Sequence, residues 1–358
     1  MCHRRRPASS NRWHRLPHDQ DSPGDDDDVG ADMTASPDLA TPAARPTIRG
    51  HIAIMRIDHW VKQVFVLPGI LAALSDGTSD IPSGVVVRVV VGMASVCLIC
   101  SSNYVINEVL DAPSDRVHPV KRHRPVPSGK VNVKLAYVQW IALMVAGAGL
   151  GMLVNRPFVI TVVVLWVMGC VYNIRPVRSK DLPYLDVLSE SINNPLRMLA
   201  GWYMAGTVAF APTSLLVSYW MIGCYFMAIK RYAEYRDIDD PAVAAAYRKS
   251  FSYYSLERLL VSIIFYASAA MLFLGAFIMR YRLELILAFP LIALVMAVYL
   301  SLAFEPESAV INPEKLYRER TLMVAVVVCA AVTAVLMFVD ITALDTIFKP
   351  TGLKLRTA

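Results

Sequence analysis

The sequence predicts an all-α, polytopic membrane protein. Of its 358 residues, 56% are hydrophobic and only 18% are charged, and the mean hydropathy is +0.45. The apolar residues stand in uninterrupted runs long enough to cross a bilayer. A soluble globular domain has roughly 45–50% apolar and about 25% charged residues. The composition therefore excludes an ordinary soluble domain, and lipid is the expected solvent for most of the chain.

Residues 1–48 differ from the rest and are predicted to be a disordered extension. They are rich in Arg, Pro and Ala, include the run Asp25–Asp28, and have no apolar periodicity. Such a segment cannot bury enough apolar surface to order itself. It also lacks the apolar core and cleavage site of a secretory signal peptide. The catalytic membrane domain is predicted over residues 49–345, followed by a short tail over 346–358.

Nine membrane spans are predicted, by the rule that roughly 17–25 mostly apolar residues cross a bilayer. They cover residues 60–75, 85–110, 135–154, 157–173, 184–208, 213–230, 256–279, 283–304 and 321–341. The fifth span contains polar side chains that lipid would not tolerate, so it is predicted to line an aqueous or protein-lined cavity. Asn193, Asn194 and Arg197 of that span are therefore candidate substrate-binding residues.

The distribution of charge predicts the orientation of the chain. The loops after the second, fourth, sixth and eighth spans hold most of the Lys and Arg. The positive-inside rule therefore places these loops and the N-terminus in the cytoplasm, as in a multi-pass protein of the inner (plasma) membrane. The net charge of +6 is interpreted first as this topology signal and second as an anion site. Nucleic-acid binding is not predicted, because only the composition of the N-terminal segment favours it.

The end of the second span contains the clearest candidate for a metal site. Asn107, Asp111 and Asp115 are spaced by four residues, which places them within about 80° of one another on a helix face. Pro113 is expected to disturb the helix before Asp115. Amide and carboxylate oxygens at this position suit Mg²⁺, which in such sites usually carries substrate phosphates. Mg²⁺ is the predicted cofactor.

Basic residues near this motif are candidates for a phosphate clamp, in which Arg side chains make bidentate contacts. Those that follow the motif directly are Arg116, His118, Lys121, Arg122 and Arg124. Arg175, Arg178 and Lys180, before the fifth span, are further candidates. The alternative is that these residues only mark the cytoplasmic face of the membrane.

Asn107, Asp111 and Asp115 resemble the first aspartate-rich motif, N-D-x-x-D-x-x-x-D, of the UbiA superfamily of membrane prenyltransferases. Glu108 stands where that motif usually has Asp. The resemblance covers residues 50–341 and implies a nine-helix bundle in which Glu108 is a fourth metal ligand. A polyprenyl substrate would keep its tail in the bilayer, so the bundle is expected to have a lateral lipid opening.

Four further stretches resemble one branch of the superfamily, the decaprenyl-phosphate phosphoribosyltransferases. They are Arg56–Lys62, His118–Pro125, Lys230–Glu234 and Tyr247–Ser250. Members of this branch join phosphoribosyl pyrophosphate to a polyprenyl phosphate and release pyrophosphate. This resemblance implies catalytic roles for Lys121, Lys230 and Glu234 beside the metal motif. It implies substrate-binding roles for Arg56, Lys62, Arg231, Tyr232, Arg248 and Lys249. Lys62, Lys230 and Arg231 are expected to position the lipid phosphate, and Lys121, Arg122 and Arg124 the pyrophosphate or the 5-phosphate.

Three alternatives of function or assembly stay open at this point. A prenyltransferase would move an isoprenoid from a prenyl diphosphate to an aromatic or other acceptor. Lys230 and Arg231, where ordinary members place aspartates, disfavour this reaction, although Asp237, Asp239 and Asp240 leave a second metal open. A non-catalytic lipid transporter is less favoured, because no inverted repeat is apparent. The lateral faces of the helices are compatible with a homo-oligomer.

Overall fold

The computed structural model describes residues 45–75, 83–116, 121–238, 240–306, 308–311 and 313–348, and every regular element within these ranges is a helix. The prediction of an all-α fold is confirmed. Most of the predicted extension over residues 1–48, and most of the tail over 346–358, lies outside the described residues. The predicted division of the chain into these parts therefore stays a prediction.

The described ranges contain thirteen α-helices. They are α1 Ile48–Ala53, α2 Leu67–Leu74, α3 Val85–Asp115, α4 Val133–Gly151, α5 Arg156–Asn173, α6 Leu185–Ser191, α7 Asn193–Met204, α8 Thr213–Ile238, α9 Pro241–Tyr247, α10 Leu256–Tyr281, α11 Phe289–Leu302, α12 Arg320–Leu336 and α13 Thr342–Phe348. Short 3₁₀ segments occur between them, at Ile57–Val66, Lys121–His123, Ser179–Asp181, Lys249–Ser252, Leu283–Leu287, Ala309–Ile311 and Pro313–Arg318.

Six helical segments of the described chain are long and apolar enough to cross a membrane. They are Ile48–Leu74, Val85–Asp115, Val133–Gly151, Arg156–Asn173, Thr213–Ile238 and Leu256–Tyr281. Helices α11 and α12 are apolar but shorter. The multi-pass membrane fold is thus confirmed, whereas the count of nine spans is not.

The fifth predicted span, residues 184–208, is two short helices rather than one. Helix α6 ends at Ser191 and α7 begins at Asn193. Pro195 accounts for the break, because it has no N–H to donate to the Ser191 carbonyl and its ring would crowd that group. The polar side chains of this region are therefore presented from a helix junction inside the bundle.

The expected disturbance at Pro113 is wrong. Helix α3 continues through Pro113 and ends at Asp115. Because Pro113 lies in the last turn, it removes only the bond to the Val109 carbonyl, which the helix tolerates. Asn107, Asp111 and Asp115 therefore keep their four-residue spacing on one helix.

Side-chain caps determine where three of the long helices begin. Asn132 accepts from Lys134 N at 3.0 Å at the start of α4, and Asn155 accepts from Phe158 N at 2.9 Å at the start of α5. Ser255 caps α10 in the same way. Each side-chain oxygen satisfies an amide that has no partner within its own helix.

Helix α7 is the centre of the bundle and packs against α2, α3, α5, α6, α8 and the 3₁₀ segment Ile57–Val66. Two glycines bring α2 and α7 into backbone contact. A Cβ at Gly69 would overlap the Met198 carbonyl oxygen, and a Cβ at Gly201 would overlap the Val66 carbonyl oxygen. Small residues at such positions are the usual means by which membrane helices approach closely.

Polar side chains within α3 are satisfied by the neighbouring helices. Ser95 Oγ donates to the Gly147 carbonyl at 2.6 Å, and Asn103 Nδ2 donates to the Leu165 carbonyl at 3.1 Å. These bonds tie α3 to α4 and α5 where no water would compete for them.

The carboxyl ends of α3, α5 and α8 and the amino ends of α6 and α10 meet at one end of the bundle, called the loop end from here on. Side-chain hydrogen bonds connect these helix ends and the segments between them. Most of the described polar residues singled out in the sequence lie at this end.

We expect Gly201→Ala to lower the free energy of unfolding by about 1–3 kcal/mol, because the added methyl group overpacks the α2–α7 contact. Gly275→Ala on α10 is the matched control, since a Cβ there meets nothing within 4 Å. Ala is the better helix former by about 1 kcal/mol, so the control should be neutral or stabilising. Thermal unfolding in detergent measures both variants, and equal behaviour would contradict the tight contact.

Candidate functional site

The first cluster of the loop end gathers around the Lys180 ammonium. Lys180 Nζ donates to Asp111 Oδ1 at 2.6 Å and to Asn107 Oδ1 at 3.1 Å. It also donates to Asn173 Oδ1 at 2.9 Å, while Arg178 Nη2 donates to the same oxygen of Asp111 at 2.9 Å. Lys180 is only 9% exposed. The end of α3 is therefore joined to the end of α5 and the segment that follows it.

The backbone of Arg178 is held in an unusual conformation by these contacts. Its φ of 34° lies in the left-handed region, which a non-glycine residue adopts at a cost of about 1–2 kcal/mol. Besides Asp111, its guanidinium contacts Asp181 Oδ2 at 3.1 Å and the Asn173 carbonyl at 3.3 Å. Three acceptors thus offset the strain and aim this arginine at the first cluster.

Asp115 and Glu108 connect α3 to the loop that follows it. Asp115 Oδ2 accepts from Arg124 Nη1 at 2.8 Å. Glu108 Oε1 accepts from Val126 N at 3.0 Å, and both carboxylates are buried. These contacts order the loop around Arg124, and the expected roles of Glu108 and Asp115 as metal ligands stay predictions.

The second cluster surrounds the guanidinium of Arg231, which is 2% exposed and contacts three carboxylates. Arg231 Nε lies 3.2 Å from Asp186 Oδ2, and Nη2 lies 2.9 Å from Glu190 Oε2. Nη1 lies 3.0 Å from Glu234 Oε2, whose other oxygen is 4.0 Å from Lys230 Nζ. The arrangement differs from the expectation that Arg231 holds a substrate phosphate, because all three guanidinium nitrogens already have anionic partners.

Asp186 is fully buried and extends the second cluster to the segment before α10. Its Oδ1 accepts from the Tyr254 hydroxyl at 2.6 Å, and its Oδ2 accepts from Ser250 Oγ at 3.2 Å. Arg248 Nη1 lies 3.8 Å from Oδ2. The buried charge thus has several hydrogen-bond donors, as a carboxylate in a protein interior requires.

Two side chains lie between the clusters. The Tyr172 hydroxyl donates to Glu190 Oε2 at 2.9 Å, and its ring lies 5.9 Å from Lys180 Nζ. Lys121 Nζ lies 5.2 Å from the centre of the Tyr247 ring. The two clusters and the loop after α3 therefore form one continuous polar region.

The two lysines of this region share one electrostatic property. Burial lowers the pKa of the Lys180 ammonium and that of the Lys121 ammonium, although nearby Asp111 and Asp115 act in the opposite direction. An anionic ligand that reaches these groups would favour their charged forms.

Other predicted site residues in the described ranges make no contact with the central groups of these clusters or are exposed. Tyr232 is buried against the Phe304 ring, away from the polar groups. Asn193 donates to the Glu190 carbonyl, and Asn194 packs against Gly223 of α8. Four of the predicted basic residues are exposed: Arg116, Arg122, Arg175 and Lys249. His118 lies outside the described residues.

Three basic residues belong to the inner side of the polar region. Arg56 has a left-handed backbone and lies 3.4 Å from the His59 ring nitrogen, and Lys62 is half-buried on the following 3₁₀ segment. Arg197 of α7 donates to Gln63 Oε1 at 3.1 Å. Lys62 and Arg197 lie on elements that pack together, the segment Ile57–Val66 and α7, and Arg56 directly precedes that segment.

Asn107 and Asp111 fit a magnesium ion that also binds substrate. Within the described ranges, no group of three or more His, Cys, Asp or Glu side chains is arranged to hold a metal. The contacts of one ammonium with both residues nevertheless show that two oxygens converge on one cationic group. Magnesium in phosphate-transferring sites typically has one or two protein carboxylates, with phosphate oxygens and water as its other ligands.

Sequence reasoning missed several residues of this region as site residues. Asp186 and Glu190 are two of the polar side chains of the fifth predicted span, with no predicted role in the site, and no role is predicted for Tyr172, Asn173 or Tyr254 either. The four-residue spacing of Asp186 and Glu190 places both on one face of α6, which is the available signal. Their common partner, Arg231, is more than forty positions away in the chain, and no local pattern predicts such a pairing.

Comparison with known proteins supports the fold and the family that the sequence predicts. The model of the UbiA prenyltransferase family matches residues 64–317, more than half of the chain. A decaprenyl-phosphate phosphoribosyltransferase of Corynebacterium glutamicum is 33% identical over 190 residues, 52% of this chain and 54% of that protein. The Mycolicibacterium smegmatis protein of the same name is 31% identical over 232 residues, 64% of this chain and 70% of that protein. The match thus spans about half the length of the first relative.

A solved structure confirms the architecture. The UbiA homologue from Archaeoglobus fulgidus bound to DMAPP and Mg²⁺ matches with a TM-score of 0.62 at 19% identity, covering 81% of this chain and 100% of that one. At this identity the match bears on the fold alone. The family follows from the family model, which matches more than half of the chain: the chain belongs to the UbiA prenyltransferase family.

Proposed function

We propose that this UbiA-family transferase moves 5-phosphoribose from phosphoribosyl pyrophosphate to a polyprenyl phosphate and releases pyrophosphate. Two relatives at 31% and 33% identity bear the name of this activity. The observation that carries the proposal is the position of the Arg231 guanidinium among the carboxylates of the second cluster.

Arg231 favours phosphoribosyl transfer over prenyl transfer for an electrostatic reason. A prenyl diphosphate held by two aspartate-rich motifs requires carboxylates that are available to a second magnesium ion. Here Asp186, Glu190 and Glu234 all share one buried guanidinium, so a second divalent cation would have to displace the common partner of three carboxylates. An ion at Asn107 and Asp111 would displace Lys180 and Arg178 from a single carboxylate. One magnesium ion on the first cluster suffices for a single pyrophosphate group.

Asn107 and Asp111 would hold the magnesium ion together with phosphate oxygens. The ion would supply charge neutralisation for the departing pyrophosphate, as a Lewis acid and a template. Lys180 and Arg178 fix the position of Asp111. Arg124 contacts Asp115 from the loop that follows α3. In this proposal Arg124 and Lys121 bind the pyrophosphate or the 5-phosphate of the donor.

In the reaction, the bond between the anomeric carbon and the pyrophosphate oxygen breaks, and its electron pair leaves with pyrophosphate. An oxygen of the lipid phosphate forms the new bond to that carbon. A phosphate monoester is already anionic at neutral pH, so the step needs no strong general base. Catalysis then depends on alignment of the reactants and on neutralisation of their charges.

The location of the two substrates agrees with a multi-pass membrane enzyme. We propose that the protein lies in the inner (plasma) membrane with its loop end in the cytoplasm, where the sugar donor is dissolved. The lipid tail would stay in the bilayer and reach the site through a lateral opening between helices. A homo-oligomer is also part of the proposal. Contacts through the lateral faces of the helices would leave the loop end accessible.

The first prediction for this function concerns the reaction itself. Purified protein with Mg²⁺, phosphoribosyl pyrophosphate and a polyprenyl phosphate should form a phosphoribosyl lipid and pyrophosphate, measured by mass spectrometry. Asp111→Asn should reduce the turnover by roughly 100-fold or more, as loss of a group that stabilises transition-state charge does. Asp340→Asn is the control, because Asp340 is exposed and pairs with Arg282 away from the loop end. Consumption of a prenyl diphosphate instead of phosphoribosyl pyrophosphate would establish prenyl transfer as the function.

The second prediction separates a structural role of Arg231 from phosphate binding. Arg231→Met should lower the free energy of unfolding by about 3–5 kcal/mol, because it leaves three carboxylates without their common cation. Lys230→Met, one residue away and half-buried, should lower it much less. Thermal unfolding in detergent without substrate compares the two variants. A stable Arg231→Met variant with a raised KM would instead assign Arg231 to the substrate.

A further inference from the structure

Arg197 is a cation inside the bundle whose protein neighbours are all neutral. Its Nε donates to Gln63 Oε1 at 3.1 Å and its Nη2 to Cys100 Sγ at 3.6 Å. Tyr104 and Tyr219 are its next electrostatic neighbours, and no carboxylate of the described residues lies within ion-pair distance of it. The buried guanidinium of Arg231, by contrast, contacts three carboxylates.

Gln63 adds a second donor at the same place. It is 0% exposed, and its Nε2 has no hydrogen-bond partner. This nitrogen is bonded to the same carbon as the oxygen that Arg197 contacts, so the unused N–H groups and the guanidinium are adjacent. A positive charge and an unsatisfied donor side by side in a protein interior are the complement of an anion.

The position of Arg197 shows which phosphate it would suit. Cys100 precedes Asn107 by seven residues on α3, so Arg197 lies about 10 Å farther from the loop end, at 1.5 Å per residue. Val66, Ile99 and Leu199 form the apolar core around this level. An anion bound here would be attached to a molecule that continues into an apolar environment.

We propose that Arg197 and Gln63 bind the phosphate group of the lipid acceptor. This assignment rests on the proposed function for its choice of a polyprenyl phosphate. With the pyrophosphate at Asn107 and Asp111, the lipid phosphate then approaches the sugar from the opposite, inner side. That is the geometry of a displacement in which one phosphate arrives as the other leaves. Arg197 then binds the lipid phosphate, a role that the sequence analysis assigned to Arg231 together with Lys62 and Lys230.

The inference is tested by binding, without any need for turnover. The ligands are a polyprenyl phosphate, the polyprenol of the same chain length, and phosphoribosyl pyrophosphate, each measured on the full chain in nanodiscs. Arg197→Gln should raise the Kd of the polyprenyl phosphate at least tenfold and leave the Kd values of the other two ligands unchanged. Arg197→Lys should restore part of the affinity. Arg88→Gln is the matched control, since Arg88 also has buried nitrogens without partners but lies near the opposite end of α3.

A second variant guards against loss of folding. Gln63→Glu places a carboxylate beside Arg197 and keeps the guanidinium, so it should weaken polyprenyl phosphate binding at least tenfold in a protein that remains folded. Unchanged lipid binding in Gln63→Glu and in any folded Arg197→Gln protein would overturn the inference. Weaker binding of phosphoribosyl pyrophosphate alone would reassign Arg197 to the 5-phosphate and overturn it as well. Arg197-dependent lipid binding by a protein that makes no phosphoribosyl lipid would support this site while contradicting the proposed function.

Discussion

The loop end depends on one buried interaction, the contact of a single guanidinium with carboxylates from α6 and α8. Taking such groups out of water costs several kcal/mol for each ion, and only near-complete pairing offsets it. Arg231 provides this pairing for Asp186, Glu190 and Glu234. Asp186 then binds the hydroxyls of Ser250 and Tyr254. Three parts of the chain, α6, α8 and the segment before α10, are thereby held in one arrangement.

The same pairing determines how much charge is left for substrates. Lys230, Arg231 and Arg248 balance the three carboxylates of the second cluster, and Arg178 and Lys180 balance Asp111 and Asp181. Once the charges of these groups cancel, Arg56 and Arg197 have no carboxylate within ion-pair distance among the described residues. A region of this kind selects ligands that bring several negative charges, as phosphate esters do.

Local patterns in the sequence were sufficient for the all-α membrane fold and for the alignment of one polar motif on a single helix. Apolar runs predicted the membrane helices, and the four-residue spacing of Asn107, Asp111 and Asp115 predicted one shared helix face. The break at Ser191 and the continuation through Pro113 were not anticipated, because the effect of a proline depends on its place within the helix. The partners of Arg231 and Arg197 could not be predicted either. These partners lie on elements that are far apart in the chain. The local sequence around a basic residue at the end of a span is the same whether or not its side chain contacts carboxylates.

The backbone contact between α2 and α7 also limits how a lipid could enter. Gly69 brings α2 against the backbone of α7, and Gly201 brings α7 against Val66, the residue directly before α2. Helices in such close contact cannot separate to admit a polyprenyl chain without losing the packing between them. This side of the bundle is therefore closed, and the lipid of the proposed reaction would have to enter between other helices.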